Sequence, residues 1–281
     1  MTPQKSKTPL TINLFKKMIT TIILIYLTFA IIIYTQVEKL IFLPPPSTYQ
    51  DTNEIIKLTS EDGTKLSAIH LSNPDAKYTI LHAHGNASDL GMIKPGLEQL
   101  QDIGFSVLGY DYRGYGTSEG KPSEKNAYKD IDTAYNYLTQ ELNIPPQQII
   151  PFGRSVGGGS AIDLAARKPV AGLITESTFT SIFKVKVPFK ILPFDKFPNL
   201  QKIKRIKCPV LIMHGKLDEV VPFYHSEQLF EQAPSPKLSL WIEDAKHNNF
   251  TYAAGERYTK ILKEFLQLVD NNNSISYSPL P

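Results

Sequence analysis

Residues 153–160 read GRSVGGGS. A glycine-rich turn of this kind serves two unrelated chemistries. It can cradle a phosphate at the start of a helix, or present one serine as a nucleophile on a tight elbow. The phosphate-loop pattern is Gly, four residues, Gly, Lys, then Ser or Thr. Gly153, Gly158 and Ser160 meet that spacing, but Gly159 stands where the lysine should be. The pattern Gly-x-Ser-x-Gly is met in full by Gly153, Ser155 and Gly157. The apolar run QQIIPFG before it reads as a strand, and VGGGSAIDLAARK after it reads as a helix.

The same alternation continues in both directions. NEIIKL and KLSAIHL flank EDGT and read as a hairpin. YTILHAHG, FSVLGYDY, AGLITES, PVLIMHG and KLSLWIE are short apolar runs suited to buried strands. Helical spacing separates them: residues 90–104, with Pro95 marking the expected start, a helix opened by Pro122 and Ser123 toward Leu142, residues 222–233, and 253–269. Apolar strands alternating with helices imply a mostly parallel sheet covered on both faces. Ligands of such sheets bind beyond the carboxyl ends of the strands, so the loops that follow strands are the ones to inspect.

Those loops carry the chemistry. HGNA (84–87), DYRGYGTSEG (111–120), the elbow, HGKLDEVVP with Asp218, and EDAKHNNF with His247 each follow a strand. A serine hydroxyl needs a base to take its proton during attack. Histidine suits that task, and a carboxylate fixes the imidazole tautomer and stabilises its cation. Ser155, Asp218 and His247 occur in the order nucleophile, acid, base. Glu176 also follows a strand and competes with Asp218, which sits in a short turn before Pro222. His70, His82, His84 and His225 read as structural and His214 as shaping the turn of Asp218, because only His247 follows the last strand. Asp111 and Arg113 read as a structural pair shaping their loop, and Arg154 as a structural residue of the elbow.

Taken together, IFLPPPSTYQD, HAHGNASDLG, GYDYRGYGTSEG, FGRSVGGGSA, ITESTFTS, LIMHGKLDEVVP and AKHNNF resemble the α/β-hydrolase family. The chain is most similar to its membrane-anchored serine hydrolases with a short cap, grouped with serine-aminopeptidase-like and acyl-thioesterase proteins. The resemblance spans roughly residues 40–250. It implies an eight-stranded sheet, and a triad of Ser155, Asp218 and His247. It also implies an oxyanion hole from the backbone N–H groups of Asn86 and Val156. The implied activity is cleavage of an ester, thioester or amide of an acyl substrate, with a serine peptidase or a catalytically silent binding protein as alternatives. Depalmitoylating relatives carry a cluster of N-terminal cysteines. This chain has none there, which weakens a transfer of their substrate.

The rest of the chain frames this domain. Residues 1–17 read as a cytoplasmic tail and 18–37 as a transmembrane anchor; 18–34 carry no charge. A cleaved signal peptide has a shorter apolar region and a small-residue cleavage site, neither of which is found here. Lys5, Lys7, Lys16 and Lys17 precede the apolar run, which puts the N-terminus in the cytoplasm and the domain on the far side. An interfacial anchor with a cytoplasmic domain is the alternative. Residues 38–52 read as a Pro-rich spacer, 53–270 as the hydrolase domain, and 271–281 as a disordered tail. Residues 182–207 read as a short cap. Phe183, Phe189, Leu192, Phe194 and Phe197 offer an apolar wall there, and Lys184, Lys186, Lys190 and Lys196 a solvated face.

Apolar residues make up 42% and charged residues 20%, an ordinary globular mixture. The net charge of +3 is concentrated in the N-terminal tail and gives no sign of nucleic-acid binding. Cys208 is the one cysteine, which excludes an intrachain disulfide and a cysteine-based zinc site. It reads as a buried thiol beside a strand. No metal or cofactor is expected.

Overall fold

The computed structural model describes residues 9–187 and 191–276. By contacts the chain divides into two units, residues 1–41 and 42–281.

The first unit is one helix, α1 (Pro9–Ile41), and its stretch Asn13–Ile41 is long and apolar enough to cross a membrane. The uncharged run 18–34 lies within it, and Ile22, Ile25 and Ile31 are exposed.

The second unit is a doubly covered sheet. Its strands are β1 (Ile56–Thr59), β2 (Lys65–Leu71), β3 (Thr79–Ala83), β4 (Ser106–Tyr110), β5 (Ile149–Arg154), β6 (Leu173–Glu176), β7 (Val210–Gly215) and β8 (Lys237–Ile242). They lie in the order β1-β2-β4-β3-β5-β6-β7-β8. The hairpin around EDGT forms as expected, with Thr59 opposite Lys65. β2 runs antiparallel to β4, and the remaining pairs are parallel. The central strands are buried along their length, which is why they read as continuous apolar runs rather than alternating ones.

Helices α2 (Leu90–Ile103), α8 (Phe250–Ala254) and α9 (Glu256–Ser276) share one core with the sheet, in which Leu97, Leu100, Leu262 and Phe265 meet Ile80, Ile150 and Leu211. The other face carries α3 (Glu124–Asn136), α4 (Val156–Arg167) and α7 (Tyr224–Gln232). Between β6 and β7 the chain makes a short excursion containing α5 (Ile182–Lys186) and α6 (Asn199–Lys202). Phe189 and Lys190 of the expected cap lie outside the described residues.

Several expectations are corrected. α2 starts at Leu90, five residues before Pro95. Asp89 caps it by accepting the Met92 N–H, and that cap offsets the backbone bond the proline cannot make. Residues 271–276, expected in an irregular tail, continue α9, while 277–281 lie outside the described residues. Residues 42–49, within the stretch 38–52 expected to be a Pro-rich spacer, are bonded to the domain at Asn86, Asp89 and Asp111. Phe197 does not line an open wall. It is fully buried, and a Cβ on Gly159 of α4 would strike its ring.

Candidate active site

The elbow is built by close backbone approach. Ser155 joins β5 to α4 with φ 52° and ψ −117°, a strained conformation for a residue with a side chain. A Cβ on Gly153 would run into the backbone of Gly157 and Gly158, and one on Gly157 into the carbonyls of Ala83 and His84. The Ser155 N–H is held by the carbonyl of Glu176 at 2.8 Å.

Strand register brings the neighbouring loop to the serine. Ala83 of β3 is paired with Gly153 of β5, so residues 84–87 leave the sheet beside the elbow. Asn86 Oδ1 accepts from the N–H groups of Leu43 and Ala87 and from the Tyr115 hydroxyl, at 2.9, 2.9 and 2.7 Å. Among the described residues no hydrogen bond uses the Asn86 N–H. Val156 is the first residue of α4, so its N–H has no partner within the helix. Two backbone donors are thus available close to the serine.

Asp218 and His247 are brought together from separate loops. His247 Nδ1 lies 2.7 Å from Asp218 Oδ2, and both side chains are buried. The other carboxylate oxygen of Asp218 accepts from the N–H groups of Val220 and Val221, at 2.9 and 2.7 Å. Burial disfavours the charged carboxylate, but hydrogen bonds from His214, His247 and the Val221 N–H outweigh it and hold Asp218 well below the usual carboxylate range. An ionised carboxylate only accepts, so His247 carries its proton on Nδ1 and leaves Nε2 as a base. Among the described residues no hydrogen bond joins Ser155 Oγ to His247.

Two further residues, Arg154 and His214, hold the site; both were expected to be structural, His214 by shaping the turn of Asp218, but their partners were not foreseen. The Arg154 guanidinium bonds Glu176 Oε1 at 3.1 Å, the His247 carbonyl at 2.8 Å and Asn248 Oδ1 at 2.9 Å. Arg154 and Glu176 are register partners on adjacent strands, so Glu176 is committed to this pair rather than to the imidazole. Burial raises the Glu176 carboxyl, with the arginine opposing that shift. His214 Nε2 lies 3.1 Å from Asp218 Oδ2 and 2.9 Å from the Val221 carbonyl, while its Nδ1 meets Ser226 Oγ at 2.6 Å. Both groups at Nε2 are acceptors, so the proton sits there and Nδ1 accepts from Ser226. Their partners lie on other strand-end loops, a pairing that needs the strand order to be recognised. Beside Arg154 opens a polar cavity of about 840 Å³, reached by Ser88, Glu176, Asn248 and Tyr252.

The remaining candidates have structural partners. Asp111 does not pair with Arg113. It accepts from Tyr49 and from the Leu90 N–H, and His84 Nε2 stands 3.1 Å away without hydrogen-bond alignment. Arg113 pairs instead with Asp130 and Asp62. His82 packs edge-on against Phe152, and burial pulls its pKa down to about 3. His225 bonds Thr180, and burial pulls it down to about 4. Among the described residues no group of three or more His, Cys, Asp or Glu could hold a metal ion.

Comparison with known proteins agrees with this architecture. A family model described as serine aminopeptidase, S33, matches residues 74–197. The chain is 38% identical over 260 residues to alpha/beta hydrolase domain-containing protein 17B of Xenopus tropicalis, covering 82% of this chain and 90% of the relative. The human protein of that description is 37% identical over the same span and coverage. In fold, the domain is similar to an esterase from Pyrococcus furiosus, with TM-score 0.67 and 24% identity over 80% of this chain and 98% of that one. It is also similar to Est1E from Butyrivibrio proteoclasticus, seen with ferulic acid bound, with TM-score 0.63 and 22% identity over 76% and 99%.

Proposed function

This chain belongs to the α/β-hydrolase superfamily, and we propose that it is a serine hydrolase cleaving an ester, thioester or amide bond of an acyl substrate. Ser155 is the nucleophile, His247 the base and Asp218 the acid. The backbone N–H groups of Asn86 and Val156 receive the oxyanion. The observation that carries this reading is the 2.7 Å bond from His247 to a charged, buried Asp218, on a chain whose Ser155 is held at a strained strand-to-helix turn.

In this mechanism Ser155 Oγ attacks the substrate carbonyl carbon as His247 Nε2 takes the hydroxyl proton. The carbonyl electron pair moves to oxygen, which the two N–H groups stabilise; one such donor is worth roughly 10²–10³ in rate. Collapse expels the leaving group, which takes the proton from His247 and leaves an acyl-serine. A water, deprotonated by the same nitrogen, then attacks the acyl-serine, releasing the acid and restoring Ser155. Ser155 Oγ and His247 Nε2 come into hydrogen-bond contact when substrate closes the site, since catalytic hydrogen bonds are often long or unmade without ligand. Phe183, Leu192 and Phe194 of the excursion between β6 and β7 supply the apolar wall for the acyl chain. Phe197 anchors the base of that excursion.

The S33 description of the matching family model favours a peptidase as the second reading. A panel of p-nitrophenyl esters of graded length, S-acyl thioesters and aminoacyl amides separates the two. Turnover of acyl esters or thioesters, abolished by Ser155→Ala, is the expected result. Turnover confined to the amides favours the peptidase, and no turnover by folded protein favours a silent binding role.

Helix α1 is the membrane anchor in this proposal. Lys5, Lys7, Lys16 and Lys17 hold the N-terminus in the cytoplasm, and the hydrolase domain lies on the other side. Protease treatment of intact cells or spheroplasts should digest the domain; full protection would reverse the orientation.

A further inference from the structure

The segment 42–49 is tied to the loop that carries Asn86 at both of that loop's ends. At one end the Leu43 N–H donates to Asn86 Oδ1 at 2.9 Å. At the other end the Thr48 N–H and hydroxyl donate to the two oxygens of Asp89, at 2.6 and 2.5 Å. Asp89 is the residue that caps α2. Next to it, the Tyr49 hydroxyl donates to Asp111 at 2.6 Å, and the other oxygen of Asp111 accepts the Leu90 N–H at 3.0 Å. Phe42 is buried, its ring centroid 6.1 Å from that of Phe197. Leu43 itself is 55% exposed, so its hold on the loop is through the backbone.

The loop needs such a hold. Ala87 sits at φ 55°, where a residue with a Cβ is disfavoured. The Asn86 amide oxygen gathers three donors, from Leu43, Ala87 and Tyr115, and so fixes how the peptide at Asn86 faces the serine. We infer that residues 42–49 form a strap that positions the oxyanion donor, with the Asn86 side chain as the positioning residue through which the Leu43 N–H acts. The inference rests on the reading of the Asn86 N–H as an oxyanion donor. It gives the stretch between helix and domain a second task. That stretch connects the two, and it also completes the catalytic loop.

A pair of substitutions in the full-length protein isolates the strap. Leu43→Pro deletes the donor N–H, and Leu43→Ala keeps it while removing the same exposed side chain. The readouts are the rate of Ser155 modification by a fluorophosphonate and kcat and KM on p-nitrophenyl acetate, with thermal midpoints recorded alongside. Leu43→Pro is expected to slow both reactions about tenfold or more through kcat, with Leu43→Ala within about twofold of wild type. In an Asn86→Ala background, Leu43→Pro should add little, because the acceptor is already gone. Should Leu43→Pro fail to fold, Thr48→Val removes the strap's hydroxyl donor to Asp89 at the other end of the loop and is expected to slow both reactions, with wild-type rates overturning the strap. Wild-type rates in Leu43→Pro, or losses that add in full to those of Asn86→Ala, overturn the strap. Those results leave the hydrolase reading intact, since that reading is tested separately by turnover and by labelling of Ser155→Ala.

Discussion

The Arg154 guanidinium donates a 2.8 Å hydrogen bond to the backbone carbonyl of His247. One residue of the elbow that carries Ser155, the proposed nucleophile, therefore holds the loop of the proposed base directly. The same guanidinium is anchored on the buried Glu176, whose own carbonyl accepts the Ser155 N–H. Serine and histidine are positioned from a single ion pair at the ends of β5 and β6.

Removing that tie should cost rate and create a pH-dependent instability. Arg154→Gln is expected to lower kcat by about 10–100-fold with a smaller change in KM, because a displaced base is felt mainly in the transition state. It also leaves Glu176 buried without its counter-charge. The Glu176 pKa is already raised on folding and rises further, so the variant keeps its stability at acid pH and loses it as pH rises through that value. Thermal midpoints from pH 5 to 9 check this. Arg154→Gln/Glu176→Gln should lose the pH dependence and keep the kinetic defect.

Asp218 should be required as a charge. Asp218→Asn is expected to reduce kcat by roughly 10³–10⁴, since the amide no longer enforces the imidazole tautomer. The folded pKa of Asp218 is depressed, so its stabilising contribution is present above the unfolded value and lost as pH falls through the folded one. Urea unfolding between pH 2.5 and 5 should show wild type losing stability with acid more steeply than Asp218→Asn.

The glycines after the elbow make a packing prediction. A Cβ on Gly159 meets the buried ring of Phe197. Gly159→Ala should destabilise the domain by about 1–3 kcal/mol through overpacking. Phe197→Leu, harmful alone, should do less harm in the Gly159→Ala background. Denaturation of the four proteins in a double-mutant cycle reads the coupling.

Cys208 should be silent. Burial pushes its thiol up to about 12, and the side chain is covered. At pH 8 a thiol reagent should leave the folded protein unmodified and react with one equivalent after unfolding in guanidinium chloride. Rapid reaction in the native state would contradict the packing around it.

What the sequence revealed, and what it hid, follows from the range of each signal. The elbow and the strand–helix alternation are local patterns, as are the strand-end motifs around Asp218 and His247, each legible within about ten residues. The supports of the site are not local. Arg154 meets His247 across 93 positions, and Asn86 meets Leu43 across 43. The order β3-β5-β6 sets the loops of Asn86 and Arg154 side by side, and both contacts then reach segments distant in sequence, which no periodicity encodes. For the same reason Asp111 and Arg113, neighbours in sequence, turn to different partners. Pro95 misplaced the start of α2 because a capping aspartate upstream outweighs one missing backbone bond.

The central claim is that Ser155 is the nucleophile, and peptide mapping after fluorophosphonate treatment tests it most directly. The account expects a single adduct on Ser155, formed by the folded full-length protein and absent from Ser155→Ala. An adduct on another residue, or undiminished labelling of Ser155→Ala, would contradict it.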